Sequence, residues 1–221
     1  MARMGPRMGP TVGPRMGPSI TFGGGTAPLS LLLAAHGLST GDGPFTLTTT
    51  GVLPTGLATA TDYYAIVVDT DHILLAASRA DALASTEIVL TDTGTGTHTL
   101  VTGAAYHAEA WSFSGDFDGT HWLGDEFMQF SSDTGLSPGF GGPVRFTTTG
   151  TLPAPLALAT DYWAAAVNSD GAYPCASLAD AAVPTGIAPV DAGSGVHTLT
   201  AQPGALHYTP VALGDSTFTV E

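Results

Sequence analysis

Along most of the chain, apolar and polar residues alternate in short runs cut by Gly, Pro, Asp and Thr. Phe45, Leu47 and the threonines at 48–50 alternate as a half-buried strand does. Tyr63 to Val68 is aromatic and β-branched, the strongest strand signal in the first half. Ile73 to Ala77 follows across "DTD" (69–71) as its hairpin partner. "SRADALA" (78–84) opens on a Ser suited to a helix N-cap and predicts one or two helical turns. Ile88 to Leu90 and His98 to Val101 predict two further strands around a Gly-rich turn. Five or so short strands in this length predict a small barrel or sandwich.

The same pattern returns. "GPFTLTTTGVLPTGLATATDYYAIVVDTD" and "GPVRFTTTGTLPAPLALATDYWAAAVNSD" match at an offset of 99 residues. The match runs without a gap from Gly43/Gly142 to Leu100/Leu199, with roughly half the paired positions identical. Just upstream, "HGLSTGDGP" pairs with "TGLSPGFGGP", which carries one extra residue. Chance does not produce such a match, so two copies of one module are expected. In the second copy, Pro174 falls where the first has its hairpin strand, and a break in pairing is expected there.

Three stretches lie outside the copies. Residues 104–130 hold two of the three Trp and four Phe, and alternation around Tyr106, Ala108 and Ala110, and around Trp111 and Phe113, predicts strands. The tail from His207 to Val220 alternates as a final strand would. Residues 3–18 read "RMGP", "RMGP", "TVGP", "RMGP". Pro at every fourth position excludes a helix and Gly weakens a strand, so an extended, partly polyproline II arm is expected. The organisation this predicts is mainly β: an arm (1–28), a first module (29–103), a Trp-rich connector (104–130), a second module (131–201) and a C-terminal strand segment (202–221). Each module would be a small β-barrel or β-sandwich.

Charge sharpens the picture. The 221 residues carry nineteen acids against five Arg and no Lys, a formal net charge of −14. Three of the arginines, Arg3, Arg7 and Arg15, stand in the arm, and no acid precedes Asp42. The remainder has two arginines against nineteen acids, a formal −17. Such a body repels nucleic-acid phosphates and attracts a basic segment. The arm's Met4, Met8 and Met16 are adaptable apolar fillers for a shallow groove. No apolar run reaches the ~18 residues of a membrane-spanning helix, and Leu29 to Ala35 does not read as a secretory signal. The single Cys175 excludes an internal disulfide.

The motifs "HGLSTGDGP", "TTTGVLPTGL", "TDYYAIVVDTD", "LAASRADALA" and "DTGTGTHTL", with "TTTGTLPAPLALATDYW" and "DAGSGVHTL" in the second copy, resemble a module that recurs in tail and other virion proteins of tailed bacteriophages. The resemblance covers roughly 130 of the 221 residues. It implies a virion structural part and brings no catalytic residues with it.

Several motifs invite chemistry. "GLSTG" (37–41) and "GLSPG" (135–139) match G-x-S-x-G, but a nucleophile elbow needs the next residue's N–H for the oxyanion, and Pro138 has none. After Ser39 a strand is expected where the elbow needs a helix. His98 and His197 occupy equivalent positions, each without a second ligand at metal spacing. "DFDG" (116–119) is oxygen-rich but lacks a full calcium-loop signature. Asp62 and Asp161 are related by the repeat, which places them in different modules. Trp111, Trp122, Trp163, Tyr63 and Tyr64 could stack on sugars, although aromatics more often serve a core or an interface.

The expectation is therefore a non-enzymatic bacteriophage subunit, located in the virion, without cofactor or metal. It would decorate or cement the particle surface. Arg3, Met4, Arg7, Met8, Arg15 and Met16 would anchor the arm, and Trp111, Phe113, Trp122 and Phe127 would supply interface aromatics. Its partners would be other capsid or tail proteins and copies of itself. The alternative is a tail-tip, baseplate or fibre subunit that binds a host receptor or surface glycan.

Overall fold

The computed structural model describes residues 28–117 and 127–221. The arm residues Arg3 to Met16, together with Trp122 and His121, lie outside these. Thirteen strands and two short helices are formed among the described residues. In the first half they are β1 (Leu31–Leu32), β2 (Thr46–Thr49), β3 (Tyr64–Val67), β4 (His72–Ala76), α1 (Arg79–Leu83) and β5 (His98–Val101). Then come β6 (Tyr106–Ala110), β7 (Ser114–Phe117) and β8 (Met128–Gln129). The second half holds β9 (Phe140–Thr148), β10 (Tyr162–Ala166), β11 (Gly171–Cys175), α2 (Leu178–Ala182), β12 (His197–Pro210) and β13 (Ser216–Val220).

The strands make two antiparallel sheets. The first runs β2-β5-β13-β1-β4-β3, and the second runs β6-β12-β9-β10-β11-β8 with β7 also on β12. Neither closes into a barrel by a continuous ladder, although a single bridge between Phe45 and Tyr63 joins the ends of the first sheet. Each sheet has its own core. Leu31, Phe45, Leu47, Ile73, Leu75, Leu100 and Phe218 fill the first, and Phe117, Met128, Phe130, Leu136, Phe146 and Leu199 the second.

Local contacts recur 99 residues apart. Ser78 caps α1 by accepting the Asp81 N–H at 3.1 Å, and Ser177 caps α2 through Asp180 at the same distance. The Tyr63 hydroxyl accepts the Ala58 N–H at 2.8 Å, and Tyr162 accepts that of Ala157 at 2.9 Å. Asp92 and Asp191 each accept the N–H two residues on, at Gly94 and Gly193, both at 2.9 Å. Those glycines have φ of +65° and +61°, and a Cβ on Gly94 would stand 2.4 Å from the Val52 carbonyl oxygen. Only glycine fits such a turn.

Two expectations need correction. Pro174 does not break its strand: it sits within β11 opposite Ala164 on β10. On the other flank β8 reaches only Gly171 and Ala172, so the missing N–H falls where no ladder partner requires it. Ile88 to Leu90 form no strand, although the Ile88 N–H still donates to the Leu75 carbonyl at 2.7 Å. The Trp-rich stretch also does more than connect. Its strands β6, β7 and β8 all belong to the second sheet, whereas β13, from the far end of the chain, belongs to the first.

Candidate functional site: a two-stranded ribbon joining the sheets

Residues 98–117 and 197–218 run antiparallel to each other. Phe218 pairs with His98, Thr217 with Thr99 and Ser216 with Leu100. The alignment resumes at Pro210 with Tyr106 and continues to Leu206 with Ala110. It ends with Thr200 opposite Ser114 and His197 opposite Phe117. The gaps are also tied: the Val211 N–H donates to the Ala105 carbonyl at 2.9 Å, and the Trp111 N–H to the Ala205 carbonyl at 3.1 Å. Thr102 closes the remaining stretch, its N–H donating to the Asp215 carboxylate at 2.9 Å and its hydroxyl to the Leu213 carbonyl at 2.6 Å.

The ribbon is symmetric about Ala108 and Tyr208. A shift of 100 residues turns the pair Tyr106–Pro210 into Leu206–Ala110. The consequence is reciprocal exchange. The strand after the first repeat, β7, completes the second sheet, and the strand after the second repeat, β13, completes the first. Each delivers one phenylalanine against a buried histidine. Phe218 lies 5.5 Å from the His98 ring and Phe117 lies 5.4 Å from the His197 ring, centroid to centroid.

Both histidines are fixed structurally. The His98 Nε2 faces the Thr93 carbonyl at 3.3 Å, which only accepts, so Nε2 carries the proton and Nδ1 accepts from the Thr49 hydroxyl at 2.9 Å. His197 repeats this with Ala192 and Thr148 at 3.3 and 2.9 Å. Among the described residues no group of three metal-ligating side chains is present.

A further tie holds the ribbon to the first half. Asp42, only 3% exposed, accepts from His107 of β6 at 2.6 Å and from the Ser39 N–H at 2.8 Å. A buried carboxylate needs such partners, and here they satisfy both its oxygens. Ser39, Asp42 and His107 line one cleft of about 400 Å³ with His36 and residues 210–213. The Ser39 N–H and the His107 imidazole thus meet on one buried carboxylate, which ties β6 to the loop before β2. A second, mostly apolar cleft of about 520 Å³ lies beside it, walled by Ala35, Gly37, Leu38 and Val67.

The remaining sequence candidates are scattered. Trp111 and Phe113 are half-buried in the second core, stacked at 6.0 Å, and the Trp111 indole donates to the Thr134 carbonyl at 3.0 Å. Phe127 meets Tyr173 edge-on at 6.2 Å. Asp161 is paired with Arg145 at 2.5 Å, and Asp116 accepts from the Thr198 hydroxyl. Asp118, the other acid of "DFDG", lies outside the described residues, as do Asp125 and Glu126. Sequence reasoning missed the ribbon, although "AYH" (105–107) and "ALH" (205–207), recurring 100 residues apart, carry its signature.

Comparison with protein-family models, with curated proteins and with solved structures finds no match to this chain.

Proposed function

We propose that this chain is a bacteriophage virion subunit built from two fused copies of one β module, decorating or cementing the particle surface through its basic N-terminal arm. The observation that carries the reading is the segregation of charge. Nineteen acids and two arginines follow residue 18, and both of those arginines are engaged within the body. Arg145 pairs with Asp161, and Arg79 donates to the Ala108 carbonyl at 2.5 Å. The acidic surplus is therefore available to a basic segment from outside, and the arm of a neighbouring copy or an adjoining particle protein supplies one.

Two further features support it. The repeat resembles modules of tailed-phage virion proteins. The ribbon also locks two sheets by main-chain pairing, which suits a part that transmits load without changing shape.

The test is to tag the chain after Glu221 through a flexible linker and image intact particles, with and without residues 1–18. Regular labelling of the head, lost on removing the arm, is the expected result. Label confined to the tail tip would replace the decoration role with the receptor-binding one. Absence of the protein from particles would overturn both.

A further inference from the structure

We infer that the ribbon is an exchangeable joint, and that its partner is a second copy of this chain: the β13 seat between β5 and β1 accepts the same strand from a neighbouring molecule. This rests on the ribbon alone and is independent of the virion reading.

The exchange already exists within one molecule. Neither half completes its own sheet, since each takes its missing strand from the segment that follows the other repeat. The recognition elements are local to each seat. In the first they are the ladder from Ser216–Leu100 to Phe218–His98 on one side and the pairs Leu31–Val220 and Leu32–Thr219 on the other. Phe218 is 4% exposed and fills the core between them. None of these contacts depends on which molecule supplies the strand. The 211–215 stretch does not turn back on itself but runs on along 101–105, held by Val211, Leu213 and Asp215. A half from one molecule and the complementary half from another can therefore form the same ribbon with the same hydrogen bonds. This is the condition for domain swapping.

Concentration decides the outcome. A short tether gives an effective local concentration on the order of millimolar. Refolding at micromolar concentration therefore favours the closed monomer, and refolding near millimolar, or crowding on a lattice, favours exchange between copies.

The register supplies the test. Thr217 and Thr99 are direct partners. In a background with the buried Cys175 replaced by Ser, one preparation carries Thr99→Cys and another Thr217→Cys. The two are mixed, unfolded, refolded near millimolar concentration and oxidised. The expected product is a disulfide-linked species of twice the 22.3 kDa chain mass, at least ten-fold more abundant than after refolding at micromolar concentration. The off-register pair Thr99→Cys with Thr219→Cys, whose second residue faces Leu32, should give less than a tenth of it. The double variant Thr99→Cys/Thr217→Cys should close within one chain at low concentration. Closure there with no linked dimer at any concentration would overturn the exchange. So would equal linking of the off-register pair, which would reveal mere collision. Failure of the double variant to close would show that β13 does not occupy this seat, and the exchange would fall with it.

Discussion

The ring of Phe218 lies 5.5 Å from that of His98, tilted by 32°, although 120 residues separate them in sequence. Phe117 stands in the same relation to His197, at 5.4 Å and 44°. In both cases the aromatic arrives on a strand that belongs, by chain order, to the other half.

Phe218→Ala should therefore cost more than the loss of a terminal side chain. Truncating a buried Phe typically costs about 3–5 kcal/mol. Phe117→Ala, 3% exposed in the native protein, should cost a similar amount from the second sheet. Chemical denaturation of both variants checks this. A loss under about 1 kcal/mol at Phe218 would show that β13 is not part of the first core.

The paired turns give a second prediction. Gly94→Ala and Gly193→Ala each force a side chain into left-handed backbone, against carbonyl oxygens at 2.4 and 2.3 Å. Each should lose at least about 1 kcal/mol, whereas Gly103→Ala, which meets nothing within 4 Å, should be near neutral. Thermal unfolding of the three variants side by side measures the difference.

Asp69 and His72 set a pH window. The Asp71 N–H, and then the His72 imidazole, hold the Asp69 carboxyl below its ordinary range. The bond to Asp69 raises His72 above the ordinary ~6.5. The His72 contribution is fully present below that unfolded value and is lost as pH rises through the raised one. The Asp69 contribution is present above the ordinary carboxyl value of ~3.9 and is lost as pH falls through the depressed one. The pair thus favours the fold most between roughly pH 4 and 6.5. Both groups face solvent, so the effect is small and screened by salt. His72→Gln should flatten the decline in stability from about pH 6 to 8, and an NMR titration of His72 should place its midpoint above ~6.5.

Cys175 should be inert in the folded protein. Burial beneath α2 pushes its thiol up to about 11, and no part of the side chain is exposed. Thiolate is the reactive form, so labelling by a thiol reagent at about pH 8 should be slower than in the unfolded chain by more than roughly a hundred-fold. Rapid labelling without denaturant would contradict the packing around β11.

The sequence by itself determined the local elements. Alternation located β2 to β6, the Ser at 78 located α1 and its cap, and the 99-residue recurrence set His98 and His197 at equivalent positions, where the structure gives them the same bonds. These features rest on contacts within a few residues or within one repeat, where spacing constrains geometry. Tertiary structure alone decided which strand completes which sheet. The alternation of 216–220 announces a strand but does not say that it passes the adjacent second sheet to pair with His98 and Leu31. Main-chain pairing carries almost no residue code, so the residues of a strand do not by themselves name its seat. Only the antiparallel alignment of 98–117 with 197–218, a relation between segments about a hundred residues apart, selects the exchanged arrangement. That is also why Asp42 and His107 come together: the ribbon carries β6 past the loop that precedes β2, and there a buried carboxylate meets its partner.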